Sequence, residues 1–339
     1  MLGLLVIFLI LFYGLQRFIV YGQDGVHLEF TPRETEPQSD LPPVLPGTGV
    51  QAEIVYDAPD YSTLDLHAGQ GLSPMRAMYL SADRISPASL EAVKALMDAR
   101  GANALVLEMK SPKGELSWKS DLPLAVSYDV NGEADLAPQL AALKEQGVYL
   151  AAKISVCRDT NMAQRNVPLA LKTANGMVYT DTEGSWLDPS NTEVRLYTAA
   201  VAESLLSLGF DEIILADFVH PAVPAGTELR YAQTSSVGLT PRIVLSAFAL
   251  DLRNAVDARG GRLSAYCDAD SFRAGNAETT GQDPDLFGKA FDRLCFPTSP
   301  YTYASDTELL AWYMPREELP ARFVAVTDAP GSAQSYISN

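Results

Sequence analysis

The sequence is poor in the residues from which metal centres and disulfide scaffolds are built. Its 339 residues include only three cysteines and three histidines. The cysteines, Cys157, Cys267 and Cys295, are too scattered for a disulfide framework, and the last two lie in apolar runs typical of buried free thiols. We therefore expect no metal and no cofactor, and any chemistry should depend on carboxylates.

Positive charge is also scarce. The chain has 25 Lys and Arg against 42 Asp and Glu, which gives a formal net charge of −17. A nucleic-acid partner is excluded, because neutralising phosphates requires clustered basic residues. The sequence also lacks a Walker loop and a Gly-x-Gly-x-x-Gly motif after a strand, so nucleotide chemistry has no support.

Long hydrophobic runs are confined to the start of the chain. Residues 2–15 carry no charge, and Arg17 interrupts the run before it resumes. As a helix, residues 1–22 would span ~33 Å, enough for a bilayer core. A cleaved signal peptide is the alternative, but the basic start and the small-x-small site that it requires are missing. We expect an uncleaved single-pass anchor in the cell membrane, with the remainder outside the cytoplasm.

The next segment, residues 23–74, predicts a linker and irregular chain. Five prolines between positions 32 and 46 prevent regular structure, and residues 57–74 show no period. The folded domain is then expected over residues 75–339.

Within this domain, short apolar runs alternate with amphipathic stretches. The predicted strands are Ala77–Ser81, Ala104–Met109, Tyr149–Val156, Glu212–Phe218, Leu263–Cys267, Arg293–Phe296 and Phe323–Thr327. Helix starts are predicted at Ser86-Pro87, at Asp135, at a capping box over residues 190–193 and at Thr240-Pro241. Repeated helix–glycine–strand units predict an α/β fold, a TIM-type (β/α)8 barrel. Its C-terminal end should be incomplete or irregular, because no eighth strand is recognisable.

Acidic residues follow nearly every predicted strand, where such barrels keep their chemistry. They are Asp83, Glu108, Asp159, Asp217, Asp268 and Asp328. Two carboxylates flanking a sugar are what glycoside hydrolysis needs. Asp217 is the first candidate catalytic residue, and Asp268 (with Asp270 beside it) or Glu108 is the candidate partner. The alternative for Asp217 is a structural pair with Arg158.

Further residues are candidates for binding substrate. They are Lys110, Lys153, Arg158, Asp188, Trp186, His220 and Tyr301. Lys110 shares a predicted strand face with Glu108, so a structural ion pair is equally compatible with the pattern. Lys153 lies inside a strand and needs a carboxylate partner, for which Glu108 and Asp217 are the candidates.

The ordered motifs resemble a bacterial glycoside-hydrolase-like family, domain of unknown function 4015. The resemblance covers residues 75–305. It rests on residues 77–82, 103–110, 120–125, Trp186-Leu187-Asp188-Pro189, 208–213, Gly281-Gln282-Asp283 and 296–301. It implies an α-amylase-like TIM barrel that acts on a polysaccharide, with its conserved strand-end Asp at Asp217 and its Asp-x-Lys at Glu108-Met109-Lys110.

Two departures from the family pattern bear on activity. His220 stands where the family has an arginine, and Tyr266 stands where the fifth strand has a carboxylate, for which Asp268 is the candidate replacement. Two functions therefore remain open. One is a hydrolase that acts on a cell-envelope or extracellular polysaccharide. The other is a carbohydrate-binding or envelope-structural protein on a degenerate barrel. The oligomeric state is not predicted.

Overall fold

The computed structural model describes residues 61–66, 68–231, 239–268, 271–272 and 276–338, and the backbone of two short strands near the start. Eight parallel strands close a barrel in chain order. They are β1 (Arg76–Leu80), β2 (Ala104–Lys110), β3 (Tyr149–Ser155), β4 (Glu212–Ala216), β5 (Arg262–Tyr266), β6 (Leu294–Pro297), β7 (Phe323–Val326) and β8 (Tyr336–Ser338). The barrel predicted from the sequence is confirmed.

The barrel is complete, which corrects the expectation of a missing eighth strand. Tyr336–Ser338 pairs with β7 on one side and with β1 on the other. Only three residues long, it follows an irregular segment and is too short to be recognised as a strand from its sequence. Its identity as a strand depends on these two neighbours.

Helices cover the outside of the barrel. They are α1 (Pro87–Arg100), α2 (Pro123–Ser127), α3 (Ala137–Glu145), α4 (Thr160–Arg165), α5 (Thr192–Ser207), α6 (Pro241–Asp257), α7 (Ala277–Thr280), α8 (Pro284–Ala290), α9 (Tyr303–Leu310) and α10 (Leu319–Arg322). The structure also describes two short antiparallel strand pairs: Lys172–Thr173 with Leu229–Arg230, and Ile19–Gly22 with Gly25–Leu28.

Local capping explains where the longer helices begin. Ser86 accepts a hydrogen bond from the Ser89 N–H at α1, and Thr240 accepts one from the Ile243 N–H at α6. The capping box predicted over residues 190–193 is not formed. Asn191 caps α5 instead, because the Ser190 hydroxyl bonds to the Asp188 carboxylate.

The barrel interior follows the two-residue alternation of its strands. Small and branched side chains fill its middle: Ala77, Ala104, Val106, Ala151, Ile214, Cys295, Val324 and Ile337. A larger apolar layer lies between the strands and the helices. One alternation beyond the filled middle, Tyr79, Glu108, Lys153 and Tyr266 lie at the carboxyl ends of their strands. The sequence therefore places polar groups in the mouth of a packed barrel.

The chain divides into two units, Met1–Glu53 and Ile54–Asn339. In the first, Ile19–Gly22 forms an antiparallel pair with Gly25–Leu28. The predicted anchor helix therefore does not extend to residue 22, and residues 1–18 lie outside the described residues. Among the residues that are described, no helix has the length and apolar character to span a bilayer.

Candidate active site

The largest cavity described at the mouth is a cleft of about 590 Å³ beside the carboxyl ends of β1, β2 and β3. Its lining includes Glu108, Arg158, Asp83, Glu115 and Glu183. The hydroxyl of Ser111, another lining residue, is buried and has no hydrogen-bond partner. A cleft with one orphaned polar group and several charged walls has the character of a ligand site.

Glu108 is held at the cleft by charged and polar contacts. Its Oε1 lies 3.0 Å from Lys153 Nζ, and its Oε2 accepts a hydrogen bond of 3.2 Å from the Ala82 N–H. The side chains of Glu108 and Lys153 are 13% and 19% exposed, so ligands can reach both. Of the two partners that the sequence allowed for Lys153, the structure brings Glu108 to it.

Two tyrosines complete the Lys153 environment. Its Nζ donates a 3.3 Å hydrogen bond to Tyr79 Oη and lies 5.0 Å and 5.4 Å from the ring centroids of Tyr79 and Tyr266. Burial, with a further effect of the Glu108 carboxylate, raises the pKa of Tyr79 above its ordinary value. Both tyrosines therefore remain neutral donors. Lys153, Tyr79 and Tyr266 also line a second cavity of about 250 Å³.

Asp217 follows β4 directly, and its backbone is left-handed with φ of +50°. Its Oδ2 lies 2.6 Å from the Ser155 hydroxyl, and its Oδ1 lies 3.8 Å from Arg158 Nε. Ser155 Oγ also lies 2.7 Å from the Arg158 carbonyl oxygen. A hydroxyl has one proton, so it serves only one of these two acceptors at a time.

Arg158 connects Asp217 to the cleft. Its guanidinium pairs with Glu183 and with Asp181, and it lies 4.6 Å above the Trp186 ring. Trp186 donates from its indole N–H to Asp181 at 2.8 Å. Only 2% of Trp186 is exposed, so its ring positions Arg158 and offers no open face to a sugar. Sequence reasoning missed Ser155, Asp181 and Glu183, because only the long loop after β3 brings the last two to Arg158.

Lys110 is turned away from Glu108. The register between β2 and β3 shifts between residues 108 and 110, which breaks the alternation that put both on one face. Lys110 is 3% exposed; its Nζ lies 2.8 Å from Asp159 Oδ2 and donates to the Ser155 carbonyl. Asp159 in turn caps α4. The ion pair between Glu108 and Lys110 that the sequence allowed is therefore not formed. The buried Lys110–Asp159 pair stabilises the loop instead.

The remaining predicted residues are dispersed around the rim. Asp268 is exposed and accepts a hydrogen bond from Ser271, while its N–H donates to buried Gln282. Asp188 is 1% exposed and accepts from Ser190. Tyr301 is 95% exposed. Asp270 lies outside the described residues.

His220 packs edge-on against Tyr231, with ring centroids 5.8 Å apart. Burial lowers the pKa of His220 to about 4. It is therefore neutral at physiological pH and does not replace the charge of the arginine that the family pattern has there.

The three cysteines are buried and unbridged, which the apolar runs around Cys267 and Cys295 predicted for those two. Within the part of the chain that the structure describes, no group of three His, Cys, Asp or Glu side chains is arranged to hold a metal ion.

Comparisons with known proteins identify the family of the chain and support its barrel fold. The family described as "Putative glycosyl hydrolase domain" matches residues 77–322. The fold is similar to the glycoside hydrolase domain of PgaB (BpsB) from Bordetella bronchiseptica, with 15% identity, a TM-score of 0.55, and coverage of 79% of this chain and 94% of that one.

Two larger enzymes share the fold. A GH20 chitobiase from Flavobacterium johnsoniae matches with 11% identity, a TM-score of 0.52 and coverage of 76% of this chain and 38% of that one. The GH20 exo-β-N-acetylglucosaminidase of Vibrio harveyi matches with 12% identity, a TM-score of 0.50 and coverage of 75% and 41%. This chain thus spans about two fifths of either enzyme. No curated protein matches the chain. Because the family match extends over most of the barrel, the chain belongs to the glycosyl hydrolase domain family known as domain of unknown function 4015.

Proposed function

We propose that this protein is a glycoside hydrolase that cleaves a cell-envelope or extracellular polysaccharide, with Glu108 and Asp217 as its carboxylate pair. The observation that carries the proposal is the cleft at the barrel mouth. Glu108 forms part of its wall, and Arg158, another part of that wall, lies 3.8 Å from Asp217. Asp268 is exposed on another part of the rim, so Glu108 is the better partner on position.

The roles follow from the contacts. Glu108 lies between an ammonium group and a backbone N–H, contacts that fix its carboxylate at the cleft wall, where it would act as the general base that takes a proton from the attacking water. Asp217 touches a hydroxyl whose single proton has a second acceptor, the Arg158 carbonyl. In the proposed reaction Asp217 donates a proton to the leaving oxygen, and Ser155 positions its carboxyl group.

The spacing along β3 bears on stereochemistry. Glu108 contacts Lys153 and Asp217 contacts Ser155, two residues further along the same strand face. Cα atoms two residues apart in a strand are separated by about 7 Å. We expect the two carboxyl groups to be spaced like the strand positions that they contact, and a carboxyl separation of ~6.5–9.5 Å leaves room for a water molecule and favours inversion. The configuration of the first-formed product, followed by NMR, tests this point; a retained anomer would contradict it.

The proposal is tested by screening the full chain against a panel of polysaccharides and comparing it with Asp217→Asn and Glu108→Gln. We expect wild-type hydrolysis of at least one glycan and loss of that activity in both variants. Asp98→Asn is the matched control, because Asp98 is exposed on α1 and pairs only with Lys94 among the partners described. Unchanged activity in Asp217→Asn would overturn the carboxylate pair.

Carbohydrate binding without hydrolysis is the second candidate function. It is favoured by the ion pairs themselves, because Glu108 already has Lys153 as a partner and Asp217 has Arg158 nearby. In that case the wild type would bind a glycan without cleaving it, and Asp217→Asn would bind it equally well.

Attachment to the cell membrane through the apolar start belongs to the same proposal. A reporter enzyme fused after residue 50 would be exported if the run acts as an anchor. Activity of the reporter only in the cytoplasm would contradict it.

A further inference from the structure

A third cavity, lined in part by the long loop after β3, has positively charged walls in a strongly acidic protein. It has a volume of about 220 Å³, and its lining includes Lys172, Arg230, Tyr231 and Asp188. The segment after β3 contributes to both cavities, since Arg158 and Glu183 line the cleft while Lys172 and Asp188 line this one. The chain as a whole has a net charge of −17, so two basic residues at one small cavity are unexpected.

The two cations are direct cross-strand neighbours. Lys172 pairs with Arg230 in the antiparallel register of the two short strands. Within the described residues, neither side chain forms an ion pair with a carboxylate. Like charges directly opposite each other on a strand pair destabilise it. A bound anion between Lys172 and Arg230 would remove this repulsion. If the two residues had only a structural role, the strand pair would not require two like charges opposite each other.

The third group is the Tyr231 hydroxyl, which is buried and has no hydrogen-bond partner. Burial and the neighbouring Asp188 carboxylate raise the pKa of Tyr231 above its ordinary value, so the hydroxyl retains its proton and can only gain by finding an acceptor. Asp188 is engaged already, since its Oδ1 accepts from both the N–H and the hydroxyl of Ser190. The lining thus combines two cations and an unused donor with one occupied carboxylate.

We propose that Lys172, Arg230 and Tyr231 form a binding site for the carboxylate of a uronic acid residue in an acidic polysaccharide. The Arg230 guanidinium offers parallel N–H donors that match a carboxylate, Lys172 adds a point charge, and Tyr231 donates from its hydroxyl. The inference extends the proposed function by naming a substrate class, but binding at this site does not depend on hydrolysis. A sulfate ester on a sugar shares the same anionic chemistry and is separated from the carboxylate by experiment.

The test measures binding of the full chain to three oligosaccharides of equal length by titration calorimetry. They are an oligogalacturonide, a sulfated neutral oligosaccharide and an unsubstituted oligoglucoside. We expect the oligogalacturonide to bind best, with an affinity that falls as salt is raised. The double variant Lys172→Gln/Arg230→Gln should weaken it by roughly 100-fold, and Tyr231→Phe by roughly tenfold. Preference for the sulfated ligand would overturn the assignment to a uronate.

The matched control is Lys94→Gln/Arg259→Gln, which removes one Lys and one Arg charge from surface pairs with Asp98 and Glu203. It should bind the oligogalacturonide like the wild type. Thermal unfolding gives an independent readout, since the cavity variant should be at least as stable as the wild type without ligand. A loss of several degrees would show that the two cations are structural and overturn the proposal. Equal binding of all three ligands, or none, would overturn it as well. Uronate binding without hydrolysis would instead refute only the proposed enzyme.

Discussion

The two ends of the barrel contain the same three kinds of side chain in opposite surroundings. At the amino ends of the strands, Glu212 pairs with Arg293, and Tyr149 Oη donates to Glu212 at 2.7 Å. At the carboxyl ends, Glu108 pairs with Lys153, which donates to the Tyr79 hydroxyl. In both clusters the cation also lies over the tyrosine ring, at 5.4 Å for Arg293 and 5.0 Å for Lys153.

The difference between the clusters is how completely their polar atoms are used. Glu212 is fully buried, and its second oxygen accepts from Ser264 at 2.6 Å. Arg293 also donates to the carbonyls of Ala321 and Ser73. Tyr149 and Arg293 also line a cavity, of about 240 Å³, but the Glu212 carboxylate is fully buried. Glu108 and Lys153 have fewer partners, and their side chains are 13% and 19% exposed at the cavities that they line. One carboxylate–cation–tyrosine cluster therefore holds the strands together, while the other keeps capacity for a ligand.

The largest expected effect separates the two clusters by activity. Glu108→Gln should reduce the hydrolysis rate by about 10²–10⁴-fold, because the amide cannot take a proton from the attacking water as a carboxylate does. Its free energy of unfolding should fall by only about 1–2 kcal/mol, the loss of one charged hydrogen bond. Initial rates on the glycan found by screening, with urea unfolding beside them, check both values. The cluster would be structural if the loss of unfolding free energy were as large as the increase in activation free energy calculated from the two rates.

At the amino ends of the strands, we expect the main effect of a substitution to be on stability. Glu212→Gln leaves the buried Arg293 guanidinium without its counter-charge and should cost about 3–5 kcal/mol of unfolding free energy. Chemical denaturation measures it, with Asp98→Asn as a surface control that should stay within about 0.5 kcal/mol. A mild effect would mean that water or another acceptor reaches Arg293 at the amino end of the barrel.

The pH dependence of stability tests the burial of His220 at the rim of the barrel. The pKa of His220 is about 4 in the folded protein against 6.5 ordinarily, so the unfolded chain binds more protons between these values. Stability should therefore fall as pH drops from 6.5 to 4, by up to about 3 kcal/mol. His220→Gln should show a shallower fall in urea unfolding at pH 7 and pH 4.5. Equal slopes for variant and wild type would show that His220 is not buried as described.

The smallest effects compare the two tyrosines. Tyr149→Phe removes a donor to a buried carboxylate and should cost about 1–3 kcal/mol. Tyr79→Phe removes only a 3.3 Å acceptor for Lys153 and should cost about 0.5 kcal/mol. Thermal melts of the pair of variants check the order. A larger cost at Tyr79 would reverse the assignment of the two clusters.

The alternation of apolar runs and helix signals was sufficient to predict the barrel. The seven predicted strands each match an observed strand to within one or two residues, because buried parallel strands have continuous apolar runs. The eighth could not be found, since Tyr336–Ser338 is a strand only through its neighbours. The apolar pattern of α1 also includes Leu96, yet this residue is 55% exposed, because the helix packs on Leu90, Val93 and Met97.

The site was only partly predictable, because some of its contacts depend on local sequence patterns and others do not. Strand-end position located Glu108, Lys153 and Asp217, which depend on local alternation. Contacts across the long loop after β3, such as those of Arg158 with Asp181 and Glu183, have no local signature. The register shift near Lys110 was equally hidden, since the sequence around it reads as an uninterrupted strand.

The left-handed backbone at Asp217 has an evolutionary consequence. An L-residue other than glycine held there costs about 1–2 kcal/mol, and Asp is among the few that tolerate it. Glycine would relieve that strain, so stability alone favours Gly over Asp at this position. Exposed Asp129 has the same backbone conformation, with φ of +52°, so an aspartate can also persist at this cost without a role in the site. Where the proposed hydrolysis has been lost, we expect position 217 to be free to become glycine in an otherwise intact barrel.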